Sequence, residues 1–283
     1  MYISEKDKLK DFLLEDIGTG DLSTNLIFES TVQSSGEFVA KEDGVIAGLY
    51  IPNLVYGLLG DDAQFKSNCK DGDTVKKGDI IGCAVGNVRT LLTGERVILN
   101  LMQRMSGIAT QTKNAIHLLN DPQIRICDTR KTSPGLRVFD KQAVRIGGGF
   151  NHRMGLYDGV MLKDNHIAFS GSMTLAVNQL RTKLGQMVKI EVEVETRAQV
   201  DEAIALGVDI IMFDNRTPKE VKEWTKIVPK SIITELSGGI TVDNIADYNG
   251  TGVNYISLGA LTHSVKAMDI SFNSSKGPKK GSL

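Results

Sequence analysis

Several things are scarce in these 283 residues: three cysteines, six prolines, one tryptophan, and aromatic residues at only 6%. Cys69, Cys83 and Cys127 have no metal-ligand spacing and leave one thiol over in any disulfide scheme. They read as packing residues in a reducing compartment, so a cytoplasmic protein is expected. No run approaches the roughly 18 apolar residues of a membrane-crossing helix, and Met1 to Lys10 is charged where a signal peptide has an apolar centre. Excess charge of one sign is also missing. With 33 basic and 34 acidic residues the formal net charge is −1, which excludes a nucleic-acid binder working through its overall field. The one plainly basic tract, Ser275 to Leu283, reads as a solvated end and not as a membrane or nucleic-acid arm.

What is present is an ordinary globular composition, 41% hydrophobic and 24% charged, in a chain long enough for two modest domains or one large barrel. Lys6 to Glu15 has helical spacing, with Leu9, Phe12 and Leu13 on one face, and the following GDLSTNLIF suits a turn at Asp21, Ser23 and Thr24. From Val32 to about Ala84 short strands alternate with Asp-Gly and Lys-Gly turns, around a helix at Ile51 to Leu59. The acidic residues there are turn formers. The first third is therefore a small α+β domain on an antiparallel sheet. A long helix begins near Leu92, breaks near Gly107, and buries Leu91, Val97, Leu101 and Met105.

From Gly107 to about Ala260 the pattern becomes strand, loop, helix, repeated. Strands are expected at Ile124–Thr129, Gly159–Lys163, Val188–Val194, Asp209–Phe213, Ser231–Glu235 and Tyr255–Leu258. Helices are expected at Met173–Leu184, Arg197–Ala205, Pro218–Ile227 and Val242–Asn249. Repeated βα units with near-continuous apolar strands imply a parallel sheet covered by helices. A seventh strand precedes the first or lies around Val144, giving a closed or nearly closed α/β barrel.

Each expected strand ends in a polar or glycine-rich group: Arg130-Lys131, Lys163, Glu193, Asp214, Ser237-Gly238-Gly239 and Gly259-Ala260. In a barrel such exits meet on one rim, where active sites lie. Asp128 to His166 carries Arg130, Lys131, Arg137, Arg145, His152, Arg153 and Lys163, a cationic load that calls for a multiply anionic small molecule. Some readings stay open. Ser237-Gly238-Gly239 and Gly259-Ala260 form a phosphate cradle or plain turns. Glu193 and Asp214 hold sugar hydroxyls, a divalent cation or a developing positive charge, or simply pair with the rim lysines. Lys163 is a pocket cation or a Schiff-base nucleophile. His152, between Asn151 and Arg153, belongs to a carboxylate-binding loop, whereas His117 and His263 are structural. Arg96 by position alone is an exposed helical arginine.

The segments DTRKTSPGLR, GGGFNHRMGLYDGVMLKDNH, EVEVE, ELSGG and LGALTHS resemble the quinolinate phosphoribosyltransferase family, also called nicotinate-nucleotide pyrophosphorylase, and EDIGTGDLST and GERVILNLMQRMSGIAT do so too. The resemblance spans about residues 11 to 270. It implies an N-terminal α+β open-faced sandwich (1–106, with the tail 271–283 packing back on it) and an incomplete α/β barrel of about seven strands (107–270). It also implies a homodimer or higher assembly of dimers. That enzyme would join quinolinate and phosphoribosyl pyrophosphate (PRPP) with Mg2+ to nicotinate mononucleotide, CO2 and pyrophosphate. By matching motif, Arg130, His152, Arg153 and Lys163 would line the dicarboxylate pocket, with Arg96 entering from the partner subunit. Lys131 and Lys163 would meet PRPP, Glu193 and Asp214 the ribose and metal, and Ser237, Gly238, Gly239, Gly259 and Ala260 the 5′-phosphate. The catalytic set would be Lys131, Lys163, Glu193 and Asp214. The alternatives are a molybdenum-transport-associated relative with an altered substrate, and a barrel aldolase using Lys163.

Overall fold

A computed structural model describes residues 3–275. Most of the basic tract at the C-terminus, and the tail beyond residue 275 expected to pack back, lie outside the described residues. The chain forms two compact units. One comprises the residues up to Gln111, Ser133–Gly147 and the chain from Val265; the other comprises Thr112–Thr132 and Gly148–Ser264.

The first unit begins with α1 (Ile3–Ile17), which buries Leu9 and Leu13. The stretch expected to be a turn is a short helix, α2 (Leu22–Ile27), because the Thr24 N–H donates to Asp21 Oδ1 at 2.9 Å and caps it. Then come β1 (Gln33–Ala40), β2 (Gly44–Val45), α3 (Ile51–Leu59), β3 (Ala63–Ser67), β4 (Thr74–Val75) and β5 (Ile80–Asn87). β5 pairs antiparallel with both β1 and β3, and β2 pairs with β4. As expected, the acids of this region make turns: Lys70 N–H donates to Asp73 Oδ2 and Lys76 N–H to Asp79 Oδ2, both at 2.8 Å.

α4 (Val88–Leu119) runs unbroken for 32 residues. Leu91, Val97, Leu101 and Met105 are buried along it. The expected break at Gly107 is absent. A Cβ at Gly107 would collide with the Lys266 carbonyl oxygen, so the glycine admits a passing backbone instead of ending the helix.

The second unit is built on β6 (Arg125–Cys127), β7 (Val160–Leu162), β8 (Ile190–Val194), β9 (Ile210–Asp214), β10 (Ile233–Ser237) and β11 (Tyr255–Ser257). They form one parallel sheet in the order β6-β11-β10-β9-β8-β7. Phe150 adds a parallel bridge to Cys127 on the free side of β6. This bridge is the seventh member; Val144 lies instead in α5 (Arg137–Ile146), where it is buried. No ladder joins the Phe150 segment to β7 among the described residues, so the barrel is incomplete. α6 (Asp164–Ser170), α7 (Met173–Arg181), α8 (Arg197–Leu206) and α9 (Pro218–Thr225) link the strands, and Thr196 and Thr217 cap α8 and α9 with Gln199 and Glu220 closing each box. The expected helix at Val242–Asn249 is a single 3-10 turn, Ile245–Tyr248. A short α10 (Ala260–His263) follows β11.

The first compact unit also takes in two later segments. One contains α5, whose buried Asp140 accepts from Arg104 Nε at 2.7 Å and Nη2 at 2.9 Å. The other leads into β12 (Ile270–Ser274), which pairs antiparallel with β1 and completes the sheet order β12-β1-β5-β3. Phe38 of β1, fully buried, packs against Phe65 and Phe272 with ring centroids 5.3 and 4.8 Å away.

Candidate active site

The period-2 alternation of the barrel strands decides which side chains face inward. In β8, IEVEV, this puts Glu191 and Glu193 on one face. In β9 it aligns Met212 with Asp214, and in β10 Glu235 with Ser237. The parallel register sets Glu193 beside Met212, Met212 beside Glu235, and Asp214 beside Ser237. Strand-end residues from separate βα units therefore meet around one cavity of about 540 Å³ in the second unit. Arg130, Lys131, His152, Arg153, Lys163, Glu193, Asp214, Ser237, Gly238 and Gly239 all line it.

One wall is cationic. Arg153 donates from Nη1 to the Gly159 carbonyl at 3.1 Å. Burial, followed by the positive charge of Arg130, pushes the Arg153 guanidinium below its ordinary range. Two guanidiniums that disfavour each other's charge are relieved by an anion between them, and a planar carboxylate matches their donor forks. Also on the lining, Lys163 Nζ pairs with Glu193 Oε1. Burial raises the Glu193 carboxyl, Lys163 opposes that, and Asp214 adds to it.

At the end of β9 and β10 the backbone itself is shaped for a ligand. Gly238 has φ +89°, and a Cβ there would strike the Asn215 carboxamide and come within 2.8 Å of Asp214 Oδ1. Asn215, at φ 53°, donates from its backbone N–H to the Ser237 carbonyl at 2.9 Å. Gly239, at φ +65°, is held by Asn244 Nδ2 on its carbonyl at 2.9 Å. Consecutive positive-φ residues leave backbone N–H groups open to an anion. Gly259 and Ala260 are not on the cavity wall; Gly259 stands beside Lys131, where a Cβ would lie 3.1 Å from Lys131 Cδ. His263, taken as structural, is its other neighbour there.

On the cavity wall His152 and Glu235 meet the buried Glu191, a cluster of which only His152 was singled out in the sequence. His152 Nε2 is 3.1 Å from Glu191 Oε2 and 3.5 Å from Glu235 Oε1, and the Ser257 hydroxyl donates to Glu235 Oε1. The loop that carries the ring is held from behind: Asp128 accepts from the His152 backbone N–H at 2.9 Å and from Asn151 Nδ2. The Arg153 N–H donates to His152 Nδ1 at 2.8 Å, so a neutral ring carries its proton on Nε2 and gives it to the glutamates. A metal-bound histidine shows the opposite arrangement, donating from its second nitrogen, so these three groups suit a proton and not a metal ion. Burial, then the charge of Glu191, pushes the Glu235 carboxyl up to about 7. The alternation of IEVEV and ITELS was the available signal: each strand carries a second inward acid or hydroxyl two residues from its exit.

Arg96 is elsewhere. It is exposed on α4 and lines a separate cavity of about 460 Å³ in the first unit, with Glu15, Asp16, Asn100 and Arg104.

Known proteins share this chain's sequence pattern and fold. Family models described as quinolinate phosphoribosyl transferase, N-terminal and C-terminal domains, match residues 21–106 and 108–273. A probable nicotinate-nucleotide pyrophosphorylase [carboxylating] of Bacillus subtilis (strain 168) is 53% identical over 272 residues, covering 96% of this chain and 94% of that protein. The NadC crystal structure from Streptococcus pyogenes superposes with a TM-score of 0.91 at 43% identity, covering 94% of each chain. The nicotinate-nucleotide pyrophosphorylase structure from Francisella tularensis gives 0.91 at 35% identity, covering 97% and 98%. The chain belongs to the quinolinate phosphoribosyltransferase family.

Proposed function

We propose that this protein transfers the phosphoribosyl group of PRPP to quinolinate with decarboxylation, giving nicotinate mononucleotide, CO2 and pyrophosphate. The observation that carries this function is the meeting of a two-arginine wall, a Lys163–Glu193 pair and a positive-φ glycine turn around one cavity. A flat dicarboxylate needs bidentate cations on one side. A phosphorylated sugar needs an anion-binding turn and carboxylates near its anomeric carbon.

In the reaction, Arg130 and Arg153 hold the two carboxylates and fix the ring so that its nitrogen faces the anomeric carbon in line with the departing oxygen. As the C–O bond to pyrophosphate lengthens, positive charge develops on the sugar, and Glu193 and Asp214 stabilise it. Lys131 and Lys163 take up the negative charge passing to the leaving group. The Ser237–Gly239 turn binds the 5′-phosphate, and Gly259 stands beside Lys131. The ribosylated nitrogen is cationic, so the electron pair left at C2 when the adjacent carboxylate departs is held within the ring. Lys163 Nζ is engaged by the Glu193 carboxylate, which disfavours a Schiff-base role.

Glu193 and Asp214 fit Mg2+: both are hard oxygen donors facing one cavity, and the Asp214 charge adds to the burial that raises the Glu193 carboxyl. When bound there, Mg2+ would neutralise charge on the pyrophosphate oxygens. The working unit is a cytoplasmic homodimer, or an assembly of dimers, in which Arg96 serves the partner's cavity; its exposure on α4 supports this. The test is pyrophosphate release with each substrate pair. Release only with quinolinate and PRPP together supports the function, and release with nicotinate but not quinolinate refutes it.

A further inference from the structure

Decarboxylation leaves a carbanion at C2 of the pyridinium, and that carbon must gain a proton before product is released. Resting on the function proposed above, we infer that Glu235 is the acid that delivers it.

The geometry narrows the donor. Arg130, Arg153, Lys131 and Lys163 line the cavity as cations whose charge holds the substrates, and Lys163 is engaged by Glu193. His152 has one proton to give and directs it downward to Glu191 and Glu235. Glu191 is 4% exposed and is not on the cavity wall, whereas Glu235, equally buried, is. Glu191 and Glu235 sit together in the barrel interior, where Glu193 of β8 adds negative charge and His152 opposes it, and one proton relieves the repulsion. The Ser257 hydroxyl fixes Glu235 Oε1 from β11, and burial together with the Glu191 charge keeps the Glu235 carboxyl protonated to near neutral pH. A neutral carboxylic acid therefore faces the cavity beside His152, next to the arginine wall that anchors the substrate carboxylates.

The step balances. The C2–carboxylate bond breaks, CO2 leaves, and its electron pair stays on C2. That pair takes the Glu235 proton, forming the C2–H bond and leaving Glu235 ionised. Solvent restores the proton before the next turnover.

The experiment runs the reaction in an equimolar H2O/D2O mixture and reads the H:D ratio at C2 of nicotinate mononucleotide by proton NMR, for the wild type, Glu235→Gln and Glu235→Asp. Transfer from a carboxyl gives one discrimination and transfer from bulk water another. The expected result is a changed ratio and a turnover lower by about 10²-fold in Glu235→Gln, in the range of a lost general acid. Glu235→Asp should retain the wild-type ratio at reduced rate. An unchanged ratio in Glu235→Gln overturns the inference while leaving the function standing. Absence of any nicotinate mononucleotide from the wild type overturns the function itself. If Glu235→Gln does not fold, the Glu235→Asp ratio decides: a shift toward that of the non-enzymatic reaction overturns the inference.

Discussion

Gly238→Ala tests whether the turn between β10 and the 3-10 helix cradles the sugar phosphate. An alanine at φ +89° is strained by about 1–2 kcal/mol. Its Cβ would also push the Asn215 carboxamide away from Asp214, to which Asn215 Nδ2 donates at 2.9 Å, a bond worth about 1 kcal/mol. Together these amount to about 2–3 kcal/mol, or a fall in Tm of roughly 4–10 °C for a chain of this size. The functional effect is separate and larger. Displacing N–H groups that bind a doubly charged phosphate removes charge-assisted hydrogen bonds of about 1.5–3 kcal/mol each, so the KM for PRPP should rise 10- to 100-fold or more. Quinolinate binding, measured by calorimetry, should change less than about twofold, because the arginine wall is untouched. A lower Tm with an unchanged PRPP KM would mean that Gly238 serves only the turn and that the phosphate binds elsewhere.

Arg130→Ala should lower kcat/KM for quinolinate by about 10²-fold or more through loss of a charge-assisted contact, with circular dichroism unchanged; a collapsed spectrum would show that Arg130 holds the fold together. Gly107→Ala should destabilise by more than about 2 kcal/mol in urea, as an overpacked site does, because the Lys266 carbonyl occupies the space of the new methyl; a gain of about 1 kcal/mol, normal for a helical glycine, would refute the close approach. The folded protein holds the Glu235 proton up to about pH 7 whereas the unfolded chain releases it near 4.5, so stability falls as pH rises between those values, by on the order of 3 kcal/mol. Urea midpoints measured from pH 4.5 to 7.5 should lose that slope in Glu235→Gln, and parallel curves would contradict the buried protonated acid.

The rim was legible because chemistry interrupts hydrophobic runs. Arg130, Lys163, Glu193 and Asp214 stand where apolar strands stop, and the structure brings them to one cavity. The floor was less visible. Glu191 and Glu235 sit inside strands, where only the two-residue alternation marks them as inward, and nothing local distinguishes a buried acid from a solvated one. Asp128, fully buried behind His152, is two positions before Arg130 and was overshadowed by it. The misplaced break at Gly107 has a related cause, because a glycine that lets a distant backbone approach looks, in sequence, like one that ends a helix. Phe150 as a strand partner could not be read at all, since a single parallel bridge has no periodicity. The α2 cap was available in the letters: an Asp three residues before Thr24 is a start signal that turn propensity masked.

The sheet of the first unit is closed by the last described segment of the chain. β1 is made early in synthesis, but its neighbour on one side, β12, emerges from the ribosome some 230 residues later. Until then Phe38 lacks the Phe272 ring and β1 offers an open row of backbone donors and acceptors. The second unit has by that time been synthesised entire. A nascent chain of this protein thus carries a sticky, unpaired ribbon through most of its translation, and deleting Ile270–Ser274 would leave that ribbon exposed in every molecule.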